Sequence, residues 1–181
     1  MRIISNNDAK IMKSYAFNQQ FSDVTFVVEG KKICCHKVIL SAQCKYFENM
    51  FTSEMLESHS KEIQITDISI ATFSALIKYI YGQNVELDED LAKDLFRLAD
   101  KWNIIGLRDK CEKYLMHIIS LENFKELAQL AESLGTPKLM DVAMKFALKH
   151  LKDLEKSSAL YSLPNSILVK ALFKAVESSK K

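Results

Sequence analysis

The sequence has little proline, little glycine and almost no excess charge, and each shortage argues against a class of protein. With two prolines and four glycines among 181 residues, it has little room for long linkers or disordered tracts. Its 25 basic and 23 acidic residues leave a net charge of +2, which gives no reason to expect nucleic acid or an anionic membrane as a partner. No apolar run approaches the roughly 20 residues of a membrane-spanning helix. These features predict one helix-rich domain with a small extension, and no nucleic-acid or membrane partner.

Cysteine and histidine are too few and too scattered to indicate a metal or catalytic centre. The first residues lack the apolar core of a signal peptide, so we expect a reducing compartment, nucleus or cytoplasm, with the cysteines as thiols. His36 follows Cys34 and Cys35, but adjacent strand residues point to opposite faces and no Cys-x-x-Cys occurs. A packed or helix-starting histidine is the better interpretation. No nucleophile, zinc-protease or phosphate-loop motif is present, so we expect no cofactor, no metal and no enzymatic activity.

The most informative stretch runs from residue 21 to residue 57 and predicts a β-hairpin that leads into a helix. Val24, Phe26 and Val28 alternate with other residues as in a strand, and the pair Glu29-Gly30 suits a tight turn. From His36 the apolar period becomes helical. The apolar residues of that period are Val38, Ile39, Ala42, Tyr46, Phe47, Met50 and Phe51.

Further elements flank this stretch on both sides. Residues 8–19 predict a short helix that must dock on something, since an isolated helix of this length is marginal. Residues 62–66 alternate as a half-buried strand. The next helix can be capped by Asp67 or Ser69 and ends at Gly82, which can adopt the left-handed conformation of a terminator.

The second half of the sequence predicts successive helical pairs. A helix over residues 88–101 is followed by a break at Asn103 and Gly106 and by a second helix. Another pair starts with Ser120 as a possible cap, turns at Gly135 and restarts at Thr136-Pro137, with a capping hydroxyl before a proline at the first helical position. A last apolar helix is predicted over residues 167–176. Such pairs suggest a stacked extension without separate chemistry.

Several fragments, in this order and spacing, resemble a BTB (POZ) domain. They are Phe-Ser-Asp-Val-x-Phe from residue 21, Cys-His-Lys-x-Ile-Leu-Ser-Ala from residue 35, Tyr-Phe-x-x-Met-Phe from residue 46, Tyr-Ile-Tyr-Gly from residue 79 and Leu-Ala-Asp-Lys-Trp from residue 98. The resemblance implies an α+β fold over residues 8–118, a small β-sheet flanked by helices.

The resemblance also implies a homodimer. In BTB domains the N-terminal helix packs in the dimer interface with the helix after the hairpin. The positions of this sequence that match the interface are Met12, Tyr15, Asp23, Lys37 and Ile39. Asp23 and Lys37 match a charged pair near the dimer pocket, where a buried pair would serve architecture and not catalysis. The alternative is that these residues pack only within their own subunit.

Residues 119–181 resemble the 3-box, the start of the BACK region, of the MATH-BTB family to which speckle-type POZ protein belongs. The likeness rests on Ile-Ser-Leu-Glu-Asn-Phe from residue 119, Leu-Ala-Glu-x-Leu from residue 130, and Met-x-Val-Ala-x-x-Phe, which comprises Met140, Val142, Ala143 and Phe146. Lys149 stands where those relatives carry a tyrosine that contributes to the cullin groove. This departure weakens the expected contact with the cullin's N-terminal extension.

The segment Met55-Leu56-Glu57 matches the hydrophobic-x-Glu motif of cullin-binding BTB proteins. Methionine suits an irregular pocket because its thioether chain is flexible, and a few such anchors dominate the binding energy of an interface. The alternative for Met55 is a loop methionine that covers the edge of the core. The resemblance implies cullin contacts at Phe51, Met55, Leu56, Glu57, Tyr81, Leu121 and Phe124.

The function that the resemblance implies is a homodimeric adaptor that binds a cullin-3-type scaffold and recruits unknown substrate proteins for ubiquitination. No MATH-like or kelch-like module is recognisable, so we expect either a fragment of a longer chain or a short protein that competes for cullin. The main alternative is a BTB interaction module whose dimer groove binds a corepressor or other peptide. A tetramerising channel-type BTB domain fits less well, because such domains lack the N-terminal helix and the 3-box.

Overall fold

The fold combines a small β-sheet with many helices, in agreement with the predicted α+β class. The computed structural model describes residues 11–52 and 60–150. The chain divides into two compact units, Met1–Arg108 and Asp109–Lys181. The predicted helix over residues 167–176 lies outside the described residues.

The sheet has three strands in the order β2-β1-β3. Strands β1 (Val24–Val28) and β2 (Lys31–Cys35) pair antiparallel, whereas β1 and β3 (Glu62–Ile65) pair parallel. The turn between β1 and β2 has positive φ at both Glu29 (50°) and Gly30 (75°), the backbone of a two-residue type I′ hairpin. The predicted hairpin and its turn are therefore confirmed.

The described helices carry the rest of the fold, and their bounds follow from local sequence signals. Ser69 Oγ accepts a hydrogen bond from the Thr72 N–H at 3.2 Å and caps a helix that ends before Gly82, whose φ is 74°. The helix over the predicted residues 88–101 is capped by Asp88, which the sequence analysis did not single out. In chain order the helices are α1 Lys37–Gln43, α2 Lys45–Thr52, α3 Ile70–Ile80, α4 Glu89–Lys101, α5 Ile105–His117, α6 Phe124–Ser133 and α7 Pro137–Lys149.

Aromatic side chains form the centre of the first unit. Phe26, on the central strand, lies with its ring centroid 5.6 Å from Phe47 of α2 and 5.1 Å from Phe73 of α3, and all three are fully buried. Trp102 meets Phe47 edge-on at 5.3 Å and stacks on Tyr46 at 4.1 Å. Since aromatic contacts of this kind add about 0.5–1.5 kcal/mol each beyond their buried area, they fix α2 firmly against the sheet.

In the second unit α6 and α7 form a helical hairpin around a small apolar cluster. The turn between them has Gly135 at a φ of 58°, as predicted. The predicted role of the Thr136 hydroxyl is wrong, because Thr136 Oγ1 donates to the carbonyl of Ala131 at 3.3 Å instead of capping α7. Ser120 and Asn123 exchange two hydrogen bonds in the turn before α6, but the cap residue of α6 is Asn123, so the predicted capping role of Ser120 is wrong. The buried cluster consists of Phe124, Ala128, Ala143, Met144 and Ala147.

Two other local predictions were wrong. Within the described residues, the helix predicted over 8–19 ends at residue 14 and gives way to turns, where Phe17 has a φ of 62°. Gly106 does not break the chain but lies inside α5. A Cβ atom at Gly106 would lie 2.4 Å from Tyr79 Oη, so a close approach, and not a turn, requires glycine at this position.

Candidate protein-interaction surface

The residues predicted to lie at a dimer interface are grouped around the start of α1 and the segment before the sheet. Met12, Tyr15 and Ile39 are half-buried within the single chain. Tyr15 packs edge-on against His36 with ring centroids 5.6 Å apart. Each of these side chains is therefore partly buried by its own subunit, and the rest of its surface remains accessible.

Four large apolar side chains in the same two stretches are exposed. Phe21 is 76% exposed and Val38 is 73% exposed. Val38 belongs to the predicted apolar helical period, but only Leu40 of α1 is buried. Singly exposed apolar residues are ordinary, whereas four of them in two short stretches make these stretches candidates for an interaction surface. We call Ile11, Phe17, Phe21 and Val38 the N-terminal apolar group.

Asp23 and Lys37 are in contact, but not as a buried charged pair. Asp23 is exposed, and its carboxylate accepts a hydrogen bond from the backbone N–H of Lys37 at 2.7 Å. The bond satisfies one of the free amide groups at the first turn of α1. The Lys37 ammonium lies 5.3 Å from the centroid of the Phe51 ring, a cation–π contact. Within the single chain Asp23 and Lys37 thus make a helix-start contact and an aromatic contact, and their charged pair at a dimer interface stays a prediction.

His36 has the packed, helix-starting role that the sequence analysis favoured. It is buried and immediately precedes α1. Its Nδ1 lies 2.9 Å from Tyr81 Oη, and its Nε2 lies 2.8 Å from the Gln20 carbonyl oxygen. Within the described residues no group of three or more His, Cys, Asp or Glu side chains could hold a metal ion.

Tyr81 was predicted to contact a cullin, and its position does not allow this. Its side chain is fully buried, and its oxygen accepts a hydrogen bond from the backbone N–H of His36 at 2.9 Å. Burial raises the pKa of the Tyr81 phenol above its ordinary value, so the hydroxyl keeps its hydrogen at neutral pH. Tyr81 therefore serves the interior of the first unit and presents no surface to a partner.

Phe51 lies in the last turn of α2, directly before the segment that carries the hydrophobic-x-Glu motif. It is half-buried, and its ring stacks on Phe47 with centroids 6.0 Å apart. Part of the Phe51 side chain remains accessible, as its predicted contact requires. Met55, Leu56 and Glu57 lie outside the described residues.

The predicted cullin contacts of the second unit are of two kinds. Leu121 is 44% exposed, just before α6, and is available to a partner. Phe124 is fully buried in the cluster between α6 and α7, with its ring 6.1 Å from Phe146, so it stabilises the hairpin instead of facing a partner. Lys149 is exposed at the end of α7. The family resemblance assigned Phe124 to the cullin contact, whereas its place in the apolar period of α6 agrees with the burial that the structure shows.

The cysteines are free thiols, as expected, and the buried ones are poor nucleophiles. Cys34 is half-buried, and Cys35, Cys44 and Cys111 are buried. Burial raises the pKa of the Cys35 thiol to about 12 and that of the Cys111 thiol to about 12. Because the thiolate is the reactive form, these thiols are inert at neutral pH. In the described part of the chain, no helix is both long enough and apolar enough to span a membrane.

Comparison with known proteins identifies a family for most of this chain. A family model described as the BTB/POZ domain matches residues 12–119. Mouse "Kelch repeat and BTB domain-containing protein 4" is 31% identical over 170 residues, which cover 94% of this chain and 32% of that protein. Human "BTB/POZ domain-containing protein 9" is 32% identical over 155 residues, 83% of this chain and 25% of that protein. The chain therefore spans about a third or less of the length of these relatives.

Solved structures show the same fold. The BTB domain of human gigaxonin superposes with a TM-score of 0.52 at 22% identity, covering 63% of this chain and 96% of that one. The BTB domain of zebrafish PATZ1 gives a TM-score of 0.53 at 20% identity, covering 63% and 95%. The matched family region ends at residue 119, so the 3-box and the likeness to MATH-BTB proteins stay predictions. The sheet, the helices that follow it and these relatives together show that the chain belongs to the BTB/POZ family, a family of protein-interaction modules.

Proposed function

We propose that this chain is a homodimeric adaptor that binds a cullin-3-type scaffold and recruits substrates for ubiquitination. The main observation in support of this proposal is the place of Met55-Leu56-Glu57 in the sequence. The motif begins three residues after Thr52, where α2 ends. The last turn of α2 is anchored by the stacking of Phe51 on buried Phe47. A motif that begins three residues after an anchored helix is tethered within about 10 Å of that helix, and this supports a binding role.

The second unit supports the same proposal through one surface residue. Leu121 is exposed beside a buried Phe124, so the α6–α7 hairpin can present an apolar side chain from a rigid base. We infer that the 3-box contributes through Leu121, with Phe124 and Tyr81 acting only as support within their own units. Lys149 would weaken the contact with a cullin extension, because it places a charged chain where the likeness expects an aromatic one.

The N-terminal apolar group supports dimerisation. Its members lie in the segment before the sheet and in α1, the same stretches that carry the predicted interface residues Met12, Tyr15 and Ile39. A dimer would present two motifs at once and raise the avidity for multivalent substrates through effective concentration. The substrate itself would be captured by a surface other than the BTB domain.

Calorimetry with the N-terminal domain of a cullin-3-type scaffold tests the proposal. We expect sub-micromolar binding by the wild-type chain and its loss in the double variant Met55→Asp, Glu57→Ala. Glu86→Ala removes one exposed carboxylate elsewhere and serves as the matched control, which should bind as wild type. If the 3-box assignment is right, Lys149→Tyr should tighten binding.

Absence of binding by a folded wild-type dimer would refute the cullin proposal. Equal binding by the double variant and the wild type would refute the assignment of the site. The first result would favour the second candidate, a BTB module whose dimer groove binds a corepressor or other peptide, whereas the second would place cullin binding on another surface. The N-terminal apolar group is the observation that favours this candidate, since it borders the predicted dimer interface.

A further inference from the structure

A buried chain of hydrogen bonds ties the end of α3 to the segment before the sheet, residues 11–22. The Gln20 carbonyl can only accept, so the Nε2 atom of His36, 2.8 Å away, carries the hydrogen. In the neutral ring Nδ1 then accepts, and Tyr81 Oη donates to it across 2.9 Å. The Tyr81 oxygen also accepts from the His36 backbone N–H. Each of these polar groups has a partner, and the segment is attached to the core through two side chains.

Gln83, two residues after Tyr81, holds the other end of the same segment. Its Nε2 atom donates a hydrogen bond to the carbonyl oxygen of Lys13 at 2.8 Å. Tyr81, through His36, and Gln83 therefore fix the segment at both ends, although neither belongs to the N-terminal apolar group.

The segment needs such fixing because its backbone is unfavourable in two places. Phe17 and Phe21 have φ values of 62° and 60°, a left-handed conformation that bulky residues rarely adopt. Phe21 is 76% exposed, so burial of its ring does not compensate for the backbone strain. Outliers of this kind persist where the surroundings hold them, and they concentrate at functional sites.

We propose that Tyr81 and Gln83 are positioning residues for dimerisation, which hold residues 11–22 in the conformation that a second copy of this chain recognises. This inference rests on the proposed dimer. A segment that is already ordered in the single chain contributes its apolar side chains to the interface without an ordering penalty. If residues 11–22 are not held by Tyr81 and Gln83, they must become ordered during association. The free energy of that ordering then weakens the dimer.

The test compares Gln83→Ala with wild type, with Gln129→Ala as the matched control. Gln83 is half-buried beside the segment, whereas Gln129 is exposed on α6. Sedimentation equilibrium measures the dissociation constant of the dimer, and amide hydrogen exchange reports the order of residues 11–22. We expect Gln83→Ala to raise the dissociation constant about tenfold, since each dimer loses two such bonds, and to speed exchange within residues 11–22 alone. Tyr81→Phe should act in the same direction, and Gln129→Ala should change neither quantity.

The outcomes separate this inference from the proposed function. A wild-type dimer whose dissociation constant is unchanged in both Gln83→Ala and Tyr81→Phe overturns the positioning role but leaves the dimer in place. A lower melting temperature with an unchanged dissociation constant has the same meaning, because it shows a purely structural role. A wild-type chain that stays monomeric up to high concentration overturns the dimer itself, and the inference with it.

Discussion

Val38 offers a substitution whose effects on the single chain and on the dimer have very different sizes. It lies in the first turn of α1, which holds no acidic residue, and is 73% exposed. We consider Val38→Asp. Complete burial of a valine side chain contributes about 1.5–3 kcal/mol, so the quarter that is buried contributes under about 1 kcal/mol. A carboxylate in the first turn of a helix returns about 0.3–1 kcal/mol. The free energy of unfolding of the single chain should therefore change by less than about 1 kcal/mol.

In a dimer that covers Val38, the same substitution acts twice and on a larger scale. The part of Val38 that is exposed in the single chain would be buried in the dimer, and each copy loses this burial, roughly 1–2 kcal/mol. Each copy also places an unpaired carboxylate in the interface, at a cost of several kcal/mol. The total exceeds about 5 kcal/mol, which corresponds to at least about a thousandfold weaker dimer.

Sedimentation equilibrium would measure the dimer, and urea unfolding monitored by circular dichroism would measure the stability of the chain. Ile105→Asp is the matched control, because Ile105 is a 63% exposed apolar residue in the first turn of α5, which also lacks an acidic residue. We expect Ile105→Asp to remain dimeric. A Val38→Asp chain that still forms a tight dimer would refute the assignment of the interface to α1.

Two further predictions concern single contacts in the first unit. The substitution Gly106→Ala should gain about 1 kcal/mol of helix propensity but lose about 1–3 kcal/mol, because the added Cβ atom meets Tyr79 Oη. In a Tyr79→Phe background this oxygen is absent. Urea unfolding should therefore show that Gly106→Ala stabilises the Tyr79→Phe chain. The Lys101 ammonium, which donates a hydrogen bond to Asp67 at 2.9 Å, holds the pKa of that carboxyl below its ordinary 3.8. A lowered carboxyl pKa stabilises the fold above the ordinary value, and this stabilisation is lost as the pH falls through the folded-state pKa. Because both side chains are exposed, the effect is small, and unfolding of Lys101→Met should differ from wild type at pH 6 and converge with it near pH 2.

Much of the fold could be predicted because its signals are local. The pair Glu29-Gly30 can form a turn with two positive φ values, and Ser69 can cap a helix with its own hydroxyl; neither signal depends on distant residues. Gly82 and Gly135 mark helix ends for the same reason. The end of the N-terminal helix was misjudged because Phe17 adopts a left-handed backbone, which no local propensity favours for phenylalanine.

The candidate site was predicted less well because its residues are defined by distant partners. Tyr81 was assigned to a cullin surface, yet its hydroxyl bonds to His36, which is 45 residues away in sequence. Val38 matched the apolar helical period, but only Leu40 of the short helix α1 is buried and the Val38 side chain is exposed. A periodic pattern identifies apolar positions and does not distinguish a core from an interface between two chains.

The two proposed surfaces of the first unit are mechanically connected through α1 and α2. Ile39 and Val38 belong to α1, and the motif follows α2, which packs against α1. Lys37 of α1 links the two helices directly, because its ammonium lies over the ring of Phe51 in α2. A close-packed interior transmits displacement instead of absorbing it, so a dimer that fixes α1 also restrains α2, the helix that precedes the motif in the sequence. The proposed dimer would thus act on the helix next to each motif as well as doubling the number of motifs.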